Sequence, residues 1–489
     1  MKELKTLYTV LAFDFGASSG RAIVASYAPN EAKPLQYKEV HRFENNPRMM
    51  GQNFCWDFDA LLSEVKIGIA KAGKFDSIGF DTWGVDFGLL DENGNLLAQP
   101  VNYRDARTEG MLEKAFEKIS LNRLYAYTGN QVMTINTLFQ MLGLENQQPE
   151  LLAKAKKLLF IPDLFAYQLC GNAVCEDSIA STSQMLNPVT KEWSTPVLDT
   201  FGISPDLFGE RVSSGTVIGT MPCEDGTASV ISVAGHDTQC AVAALPTNAA
   251  NVAFLSCGTW SLLGTELEKP LLTEQSNALN LSNEIGANGK INYLKNIIGL
   301  WIIQECRRIW TSEGTKYSYS ELEQMALEAA PLTSFIDPDA PEFAVPGNMP
   351  TLIQEFCRRT NQVVPETVGE ITRCIYESLA LKYHFAMQQI ATITGTPFTA
   401  LHILGGGTQS KLLCQFTASA IGMPVFAGPI EATALGNIII QLKALEALPD
   451  IATGRTLIAQ TEEILLYSPS DQDAWTRAFA FYKTILTKE

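Results

Sequence analysis

ISVAGHDTQCAVAAL, residues 231–245, lies near the middle of the 489-residue chain and joins two kinds of hydrophobic pattern. Residues 231–234 are typical of a strand end, Gly235 of a turn, and the small apolar residues 238–245 of a tightly packed helix. The pattern therefore predicts a β-strand followed directly by an α-helix, with Asp237 at the junction between them.

A carboxylate at a strand-to-helix junction has two interpretations. Asp237 can cap the helix by accepting hydrogen bonds from the first backbone N–H groups, or it can act as a general base on a substrate. Glycine-rich turns precede and follow it in the sequence, at Asp14–Arg21 and Ser256–Thr259. Because such turns let backbone N–H groups approach phosphates, they favour the general base.

Length and composition indicate an ordinary globular chain. The 489 residues suit two large domains or three smaller ones, and 46% of them are hydrophobic. The net charge of −17 argues against general affinity for nucleic acid or an anionic membrane, because both attract basic surfaces. No apolar run reaches the roughly eighteen residues of a membrane span, and the apolar segment before Asp14 lacks a cleavage pattern. We therefore expect a cytoplasmic protein that binds neither nucleic acid nor membrane.

The sequence lacks the spacing of a metal-binding module. Its ten cysteines are scattered singly without a C-x-x-C pair, and its four histidines never fall at ligand spacing. Scattered cysteines of this kind are typical of buried thiols in a reducing compartment. A structural zinc site is therefore not expected.

The turn DFGASSGR, residues 14–21, lies between two apolar runs that predict a β-hairpin. Its two glycines allow close approach to the backbone and its two serines offer hydroxyl groups, so the turn can hold a phosphate. A plain hairpin is the alternative, since glycine and serine are common turn residues. Asp14, at the end of the first strand, can hold Mg²⁺ through water.

A second polar turn, DTWGVD at residues 81–86, separates strands that are predicted at 78–80 and 87–90. Trp83, the two carboxylates and the backbone exposed at Gly84 together suit a sugar, which has apolar faces and many hydroxyl groups. The alternative is a strand edge with a tryptophan packed into the core. The residues alone leave both interpretations open.

The next part of the chain, from about 110 to 170, is predicted to be largely helical, with helices at Leu151–Leu159 and Asp163–Leu169. The stretch SIASTSQML, residues 178–186, is small and polar. It is interpreted either as the lining of a cleft or as a solvated loop.

The second half of the chain repeats the logic of the N-terminus. SCGTWSLLG, residues 256–264, predicts another hairpin, so the two halves are hypothesised to be related domains. Downstream, helices are expected at about 299–310 and at 368–394, and an apolar strand leads into three glycines at 405–407. These glycines let a flat ring or a phosphate approach the backbone.

Several familiar motifs are missing from the sequence. It has no G-x-x-x-x-G-K-[ST] loop and no dinucleotide fingerprint, and its two DFG tripeptides lack the HRD loop of a protein kinase. GASSG, residues 16–20, fits the pattern of a serine nucleophile, but it joins two strands where that motif needs a strand and a helix. Ser18 is therefore not predicted to be a nucleophile.

Seven motifs, taken in their order, resemble those of the FGGY carbohydrate kinases over nearly the whole chain. They are DFGASSGR (14–21), DTWGVDF (81–87), YRDART (103–108), GHDT (235–238), SCGTWSLLG (256–264), KNIIGLW (295–301), and LGGG with EATALGN (404–437). An ordered set of this kind is far more specific than any of its members alone.

The resemblance implies an α/β fold of two actin-like, ribonuclease H-like domains with a central cleft between them. The N-terminal domain, residues 1–246, would bind the sugar and carry the catalytic base. The C-terminal domain, residues 247–489, would bind the nucleotide.

The resemblance also implies roles for individual residues, with Asp237 as the catalytic base. The residues that would contact the sugar are Trp83, Gly84, His236, Thr238 and Asn296. The residues that would bind ATP are Ala17, Ser18, Ser19, Gly20, Arg21, Thr259, Gln304 and Gly406. Asp14 would hold, through water, the Mg²⁺ ion that accompanies ATP.

The reaction implied by the resemblance is ATP-dependent phosphorylation of a ketose. The motifs favour transfer to O1 of L-rhamnulose, as in L-rhamnose catabolism, and another deoxy-ketose such as L-fuculose is the alternative. Two other classes are an actin-like ATPase or chaperone without a sugar substrate, and a sugar-responsive binding protein without turnover. Asp237 and the polar turn at 81–86 favour the kinase over both.

Overall fold

The computed structural model of the protein describes residues 6–223 and 226–486. It divides the chain into two compact units, each assembled from three segments. The first unit comprises the segment up to Asn248 together with Glu266–Tyr293 and Ala432–Thr461. The second unit comprises Ala249–Thr265, Leu294–Glu431 and the segment from Glu462 onward.

This division differs from the two continuous domains, 1–246 and 247–489, that the sequence led us to expect. The first boundary lies within two residues of the expected one, but two later segments, 266–293 and 432–461, return to the first unit. The compact units are therefore discontinuous in sequence. Side chains of 432–461 bond to the first unit's sheet, and side chains of 266–293 bond to other parts of that unit, such as His236.

The β-strands of the described ranges are numbered in chain order. They are β1 (Tyr8–Phe15), β2 (Ser19–Tyr27), β3 (Leu35–Glu44), β4 (Arg48–Met50), β5 (Asn53–Cys55), β6 (Ser77–Thr82), β7 (Phe87–Leu90), β8 (Lys157–Phe160), β9 (Val174–Glu176), β10 (Glu210–Val212), β11 (Thr216–Cys223), β12 (Gly226–Ser232), β13 (Val252–Cys257), β14 (Trp260–Leu267), β15 (Ser282–Ile285), β16 (Ile291–Ile298), β17 (Ala400–Leu404), β18 (Val425–Ala427) and β19 (Leu465–Tyr467).

The α-helices are numbered in the same way. They are α1 (Phe58–Ala72), α2 (Met111–Lys118), α3 (Leu121–Thr128), α4 (Thr137–Gln147), α5 (Pro149–Lys154), α6 (Ile161–Cys170), α7 (Asp177–Ala180), α8 (Thr195–Phe201), α9 (Asp237–Ala243), α10 (Glu274–Ala278), α11 (Trp301–Ser312), α12 (Tyr319–Glu328), α13 (Met349–Arg359), α14 (Val368–Thr394), α15 (Lys411–Ile421), α16 (Ala432–Ala444), α17 (Ile451–Thr461) and α18 (Gln472–Leu486).

A six-stranded sheet organises the first unit, with the strand order β11-β12-β6-β1-β2-β3. β1 pairs antiparallel with β2 and parallel with β6, so the hairpin predicted around residues 14–21 is confirmed. β12 also runs parallel to β6. Because parallel strands direct their carboxyl ends to the same edge of a sheet, the polar residues that follow β1, β6 and β12 share that edge.

Aromatic side chains fill the core beneath this sheet. The rings of Phe13 and Phe80, on β1 and β6, stack with their centroids 5.3 Å apart. Phe165 of α6 stacks on Phe15 at 4.6 Å. All four rings are buried, and the hydrophobic contact fixes α6 against the strands that end at the polar edge.

Helix α16 ties the segment 432–461 to the first unit's sheet. Gln441 donates from Nε2 to the carbonyl oxygen of Leu11 at 3.0 Å and accepts, at Oε1, a bond from the Ser77 hydroxyl at 2.7 Å. Asn437 donates from Nδ2 to Asp81 Oδ2 at 2.7 Å. Both amide side chains are fully buried, so these bonds satisfy polar groups that water cannot reach.

The second unit contains the strand order β16-β14-β13-β17-β18-β19. β13 pairs antiparallel with β14 and parallel with β17, which is the arrangement of β1, β2 and β6 in the first unit. The second predicted hairpin, around residues 256–264, is therefore confirmed. Helix α14 has the predicted bounds, since a Thr367–Glu370 capping box begins it and Gly395, at φ 67°, ends it.

One predicted helix is wrong in its second half. Residues 151–159 were expected to be helical, but α5 ends at Lys154 and residues 157–160 form β8. β8 pairs antiparallel with β7, and Leu158, Leu159 and Phe160 are buried. Partners distant in sequence therefore decide the conformation of this short apolar run.

Helix lengths and hydropathy bear on membrane insertion. Across residues 6–223 and 226–486, the structure contains no helix with the length and apolar character needed to traverse a bilayer.

Gly436 allows a close approach between α9 and α16, because a Cβ atom there would lie 1.8 Å from the carbonyl oxygen of Cys240. We expect Gly436→Ala to force the helices apart and to lower the free energy of unfolding by about 3 kcal/mol or more. Urea denaturation of the variant and the wild type measures this difference.

Gly347→Ala is the matched control. A Cβ atom at Gly347 would meet only a methyl group of Leu352, at 3.5 Å. Its effect should stay below about 1 kcal/mol. Equal stability of the two variants would contradict the close packing of α9 and α16.

Candidate active site

Asp237 is the first residue of α9 and follows the short segment that links β12 to the helix. The segment is held to β6, where the Thr82 N–H donates to the carbonyl oxygen of Gly235 at 2.9 Å. The carboxylate of Asp237 accepts a bond from the adjacent Thr238 N–H at 2.6 Å. Because β12 ends at Ser232 and α9 spans Asp237–Ala243, the predicted succession of strand and helix is confirmed.

The capping interpretation of Asp237 does not fit this geometry. The N-cap residue is His236, and Asp237 lies inside the first turn. The Asp237 side chain is 33% exposed, so its carboxylate is accessible to a substrate. Burial raises the pKa of Asp237, His236 lowers it and Asp14 raises it, with a net rise above the ordinary value. A carboxyl group with a raised pKa is a stronger proton acceptor.

The imidazole of His236 lies between two carboxylates. Its Nε2 is 3.4 Å from Asp237 Oδ1 and its Nδ1 is 3.1 Å from Glu284 Oε2. Burial opposes the charged ring, but the hydrogen bond and charge of Glu284, with the charges of Asp237 and Glu176, outweigh burial and raise the pKa of His236. A positive ring is thereby favoured beside Asp237.

Gly84 lies beside the same imidazole. A Cβ atom at Gly84 would be 3.3 Å from Thr182 and 3.5 Å from His236 Nε2. Val85, the next residue, has a φ of 68° and donates from its N–H to the Thr182 hydroxyl at 3.1 Å. The structure thus brings together four predicted residues of the sugar site and base, namely Gly84, His236, Asp237 and Thr238.

Trp83 has a different environment, because its side chain packs into the core of the first unit. Its indole N–H donates to Asp86 Oδ2 at 3.0 Å, and the indole of Trp56 donates to the same oxygen at 2.6 Å. The two indole rings lie 4.0 Å apart, and Trp83 is only 5% exposed. The packing interpretation therefore describes Trp83, and a contact with sugar stays a prediction.

The turn predicted to bind phosphate is shorter than its sequence indicated. β1 ends at Phe15 and β2 begins at Ser19, so Gly16–Ser18 alone form the turn and Ser19, Gly20 and Arg21 lie in β2. A Cβ atom at Gly20 would lie 2.3 Å from the ring of Phe43. Glycine at position 20 is therefore required for packing, and Ala17 and Ser18 occupy the tip of the turn.

Arg21 forms an ion pair at this edge of the sheet. Its Nη2 lies 2.8 Å from Asp14 Oδ2, and its Nε donates to the same oxygen at 3.0 Å. Asp14 pairs in register with Asp81 on the parallel strand β6. Arg21 is thus already bound to a carboxylate, and its predicted contact with ATP stays a prediction.

Two carboxyl groups, those of Asp14 and Asp81, lie here beside the single guanidinium of Arg21. Asp81 is fully buried, and its Oδ1 has no hydrogen-bond partner. Burial and the charge of Asp14 raise the pKa of Asp81 well above its ordinary value. Two neighbouring carboxyl groups with an unsatisfied oxygen fit Mg²⁺, which binds one or two carboxylates together with water and substrate phosphates.

No complete metal site accompanies these carboxylates. Among the residues that the structure describes, no three His, Cys, Asp or Glu side chains form a group that could hold a metal ion.

The second unit brings together two of the predicted ATP residues. The Thr259 hydroxyl, in the turn between β13 and β14, donates to Gln304 Oε1 at 3.3 Å. The first residue of α11, Trp301, donates from its N–H to the carbonyl oxygen of Thr259 at 3.2 Å. The turn and the helix that carries Gln304 are therefore fixed to each other.

The three glycines after β17 differ in their surroundings. Gly405 has a φ of 82°, and a Cβ atom at Gly407 would lie 2.2 Å from the Cys257 sulfur. A Cβ atom at Gly406 would meet nothing within 4 Å. Gly406 therefore leaves open space, as a nucleotide contact requires.

Asn296, the remaining predicted sugar residue, is half-buried in β16.

Two residues near the site, Glu284 and Thr182, were not among the predicted site residues. Glu284 lies in β15 and reaches His236 although 48 positions separate them. Thr182, which flanks Gly84, belongs to the stretch 178–186, and the structure buries this entire stretch. The solvated-loop interpretation of the stretch is therefore wrong.

Family models match both parts of the chain. Residues 9–244 match the N-terminal domain of the FGGY family of carbohydrate kinases, and residues 253–445 match the C-terminal domain of the same family.

Individual relatives are similar over nearly their full length. A rhamnulokinase of Bacteroides thetaiotaomicron is 43% identical over 482 residues, which cover 96% of this chain and 98% of the relative. Rhamnulokinases of Enterobacter sp. and Enterococcus faecalis are 41% and 40% identical, and each comparison covers 99% of both chains.

Solved structures share the fold at low sequence identity. A gluconate kinase of Lactobacillus acidophilus superposes with a TM-score of 0.78 at 17% identity, covering 99% of this chain and 98% of that one. A glycerol kinase of Plasmodium falciparum with ADP gives a TM-score of 0.74 at 15% identity, covering 98% of each chain. The predicted α/β fold with two actin-like domains is confirmed.

Asp86 accepts bonds from three buried side chains, Trp56, Trp83 and Gln140. Asp86→Asn introduces an NH₂ group where donors already converge, so we expect the free energy of unfolding at pH 7 to fall by about 2 kcal/mol. Burial outweighs these bonds and raises the pKa of Asp86 to about 6. The native carboxyl then binds a proton more tightly than the unfolded one, and the wild type should gain about 1 kcal/mol between pH 7 and pH 5.

Urea denaturation at both pH values tests this prediction. The Asp86→Asn variant lacks the titrating group, so the stability difference should widen as the pH falls. Asp473→Asn, in the exposed first turn of α18, serves as the control. Its difference in free energy of unfolding from the wild type should be the same at pH 7 and pH 5. A difference that stays constant between pH 7 and pH 5 would contradict the raised pKa.

Proposed function

Because the chain belongs to the FGGY family of carbohydrate kinases, we propose that it transfers the γ-phosphoryl group of ATP to O1 of L-rhamnulose. The observation that carries this proposal is the accessible carboxylate of Asp237, with the imidazole of His236 3.4 Å away and the backbone of Gly84 beside that imidazole. The choice of sugar rests on the relatives named rhamnulokinase, which are 43, 41 and 40% identical.

Asp237 is the base in the proposed reaction. Its carboxylate accepts the proton of the O1 hydroxyl as that oxygen bonds to the γ-phosphorus, and the bond from this phosphorus to the bridging oxygen of ADP breaks. The raised pKa of Asp237 suits it to receive the proton. The charge of the neighbouring imidazole opposes that rise in pKa.

The remaining predicted residues bind the two substrates in this proposal. Gly84, His236, Thr238, Asn296 and Trp83 are assigned to the sugar. Ala17, Ser18, Ser19, Gly20, Arg21, Thr259, Gln304 and Gly406 are assigned to ATP. The bond between Thr259 and Gln304 and the open space at Gly406 support the nucleotide assignment.

Mg²⁺ is the proposed metal ion, and when bound it neutralises charge on the phosphates. Asp14 is assigned to hold it through water. The unpartnered Oδ1 of Asp81 on the neighbouring strand supports a cation there. The proposal includes a cytoplasmic location, which the free thiols of all ten cysteines support.

A panel of ketoses tests the proposed substrate. With ADP release as the readout, L-rhamnulose should give the highest kcat/KM, and L-fuculose and L-xylulose should give lower values. A higher value for either of the latter sugars would contradict the substrate and leave the kinase activity standing. ADP release that does not depend on any sugar would instead indicate an ATPase.

The variant Asp237→Asn tests the base, since asparagine keeps the size of the side chain but cannot accept the proton. We expect kcat to fall by about 10²–10⁴, while the affinity for ATP holds. Steady-state kinetics with both substrates measure this effect. Asp59→Asn, in the first turn of α1, is the matched control and should keep wild-type kcat. A folded Asp237→Asn variant with wild-type kcat would exclude Asp237 from proton transfer.

A further inference from the structure

Glu284 lies behind His236 on the side opposite Asp237. Its Oε2 is 3.1 Å from His236 Nδ1, and the two side chains are almost completely enclosed, with Glu284 4% and His236 8% exposed. An ionised group so deeply buried is unfavourable unless hydrogen bonds satisfy it.

The Glu284 carboxylate accepts hydrogen bonds from three side chains. Oε2 accepts from His236 Nδ1 and from Gln239 Nε2, the latter at 2.8 Å, and Oε1 accepts from the Ser282 hydroxyl at 3.2 Å. Such a set satisfies a carboxylate that acts only as an acceptor. Hydrogen bonds therefore satisfy both oxygens of the buried Glu284 side chain.

Gln239 is itself fixed in orientation. Its Oε1 accepts a hydrogen bond from Asn292 Nδ2, so its Nε2 is the atom that faces Glu284. The strand β15 is held as well, because the backbone N–H of Ile285 donates to the Ser181 side-chain hydroxyl at 3.0 Å. Glu284 therefore has little freedom to leave His236.

The bond to Glu284 determines which atoms of His236 carry protons. Nδ1 must carry a hydrogen to donate to the carboxylate. Nε2 then faces Asp237 and the backbone of Gly84. The charged groups around the ring are Glu284 of β15, Asp237 of its own helix and Glu176 at the start of α7. All three are acidic, so they favour a second proton, at Nε2.

We propose that Glu284 is a positioning residue of the phosphoryl transfer, which holds the His236 ring so that Nε2–H donates to a sugar hydroxyl beside Asp237. This inference rests on the proposed function, because it assigns His236 to the sugar. Glu284 touches no substrate atom and acts through His236. The imidazolium that it maintains also keeps the Asp237 carboxylate ionised until O1 releases its proton.

Glu284→Gln tests the role with little change in shape. The new amide can still accept from His236 through one oxygen and can place its NH₂ toward the Ser282 hydroxyl, but it carries no charge. We expect kcat/KM for L-rhamnulose to fall about 10- to 100-fold, the range of a lost charge-assisted hydrogen bond. The loss should appear mainly in KM for the sugar, with kcat less affected and KM for ATP unchanged.

Two pH readouts separate this role from simple support of the fold. The titration midpoint of His236, followed by NMR of the imidazole ring, should fall in Glu284→Gln because one neighbouring negative charge is lost. His236→Gln identifies the resonance among the four histidines. The acidic limb of the kcat/KM profile should move to higher pH, because Asp237 loses a positive neighbour.

Glu377→Gln is the matched control. Glu377 is as deeply buried as Glu284, at 1% exposed, and its charge partner is Arg373 of its own helix, α14. This variant should leave the His236 midpoint and the kinetic constants for both substrates unchanged. A double-mutant cycle adds a second check, because in a His236→Gln background Glu284→Gln should change kcat/KM by less than about threefold.

A folded Glu284→Gln variant with wild-type KM overturns the proposal, whatever its His236 midpoint. A loss of activity with an unchanged midpoint overturns it as well, since Glu284 would then act only on folding. If Glu284→Gln does not fold, Glu284→Asp keeps the charge but shortens the side chain, and the same readouts apply. If a different ketose proves to be the acceptor, the substrate proposal fails while the comparison of variants is made on that ketose.

Discussion

The contact between α9 and α16 is the constraint on which the first unit depends. Backbone meets backbone where Gly436 faces the carbonyl oxygen of Cys240, a distance that no side chain on position 436 permits. Asn437, the next residue, bonds to β6, and Gln441, one turn further, bonds to β1. Because α9 begins at Asp237, this packing also fixes the position of the proposed base. A glycine outside the proposed chemistry therefore fixes the position of the proposed base.

The sequence predicted those parts of the molecule whose determinants are local. Alternating apolar residues around a glycine-rich turn predicted the β1–β2 hairpin, and Thr367, Glu370 and Gly395 define the ends of α14. β8 was missed, because the run from Leu158 to Phe160 suits a helix or a strand until β7 pairs with it. Glu284 was missed for a similar reason. Nothing in the short strand Ser282–Ile285 indicates that a histidine 48 positions away will lie against it.

Acidic groups outnumber basic ones around the proposed base. Asp14, Asp81, Asp237, Glu176 and Glu284 are opposed by Arg21 and the imidazole of His236. Such an arrangement is unfavourable to stability, since each carboxylate loses hydration and repels the next. It is favourable to a reaction in which a proton and a cation must both be received. Repulsion between these carboxylates thus both lowers the stability of the protein and favours the binding of a proton and a cation.

The discontinuity of the first unit has a consequence for synthesis on the ribosome. Residues 432–461, which include α16, emerge after the whole of the second unit's central segment. Until then β1 and β6 lack the amides of Asn437 and Gln441, and the groove that receives α16 stays open. All six strands of this sheet are therefore translated before α16, and one side of the sheet stays uncovered until α16 follows. Helices α16 and α17 therefore complete the first unit only near the end of translation.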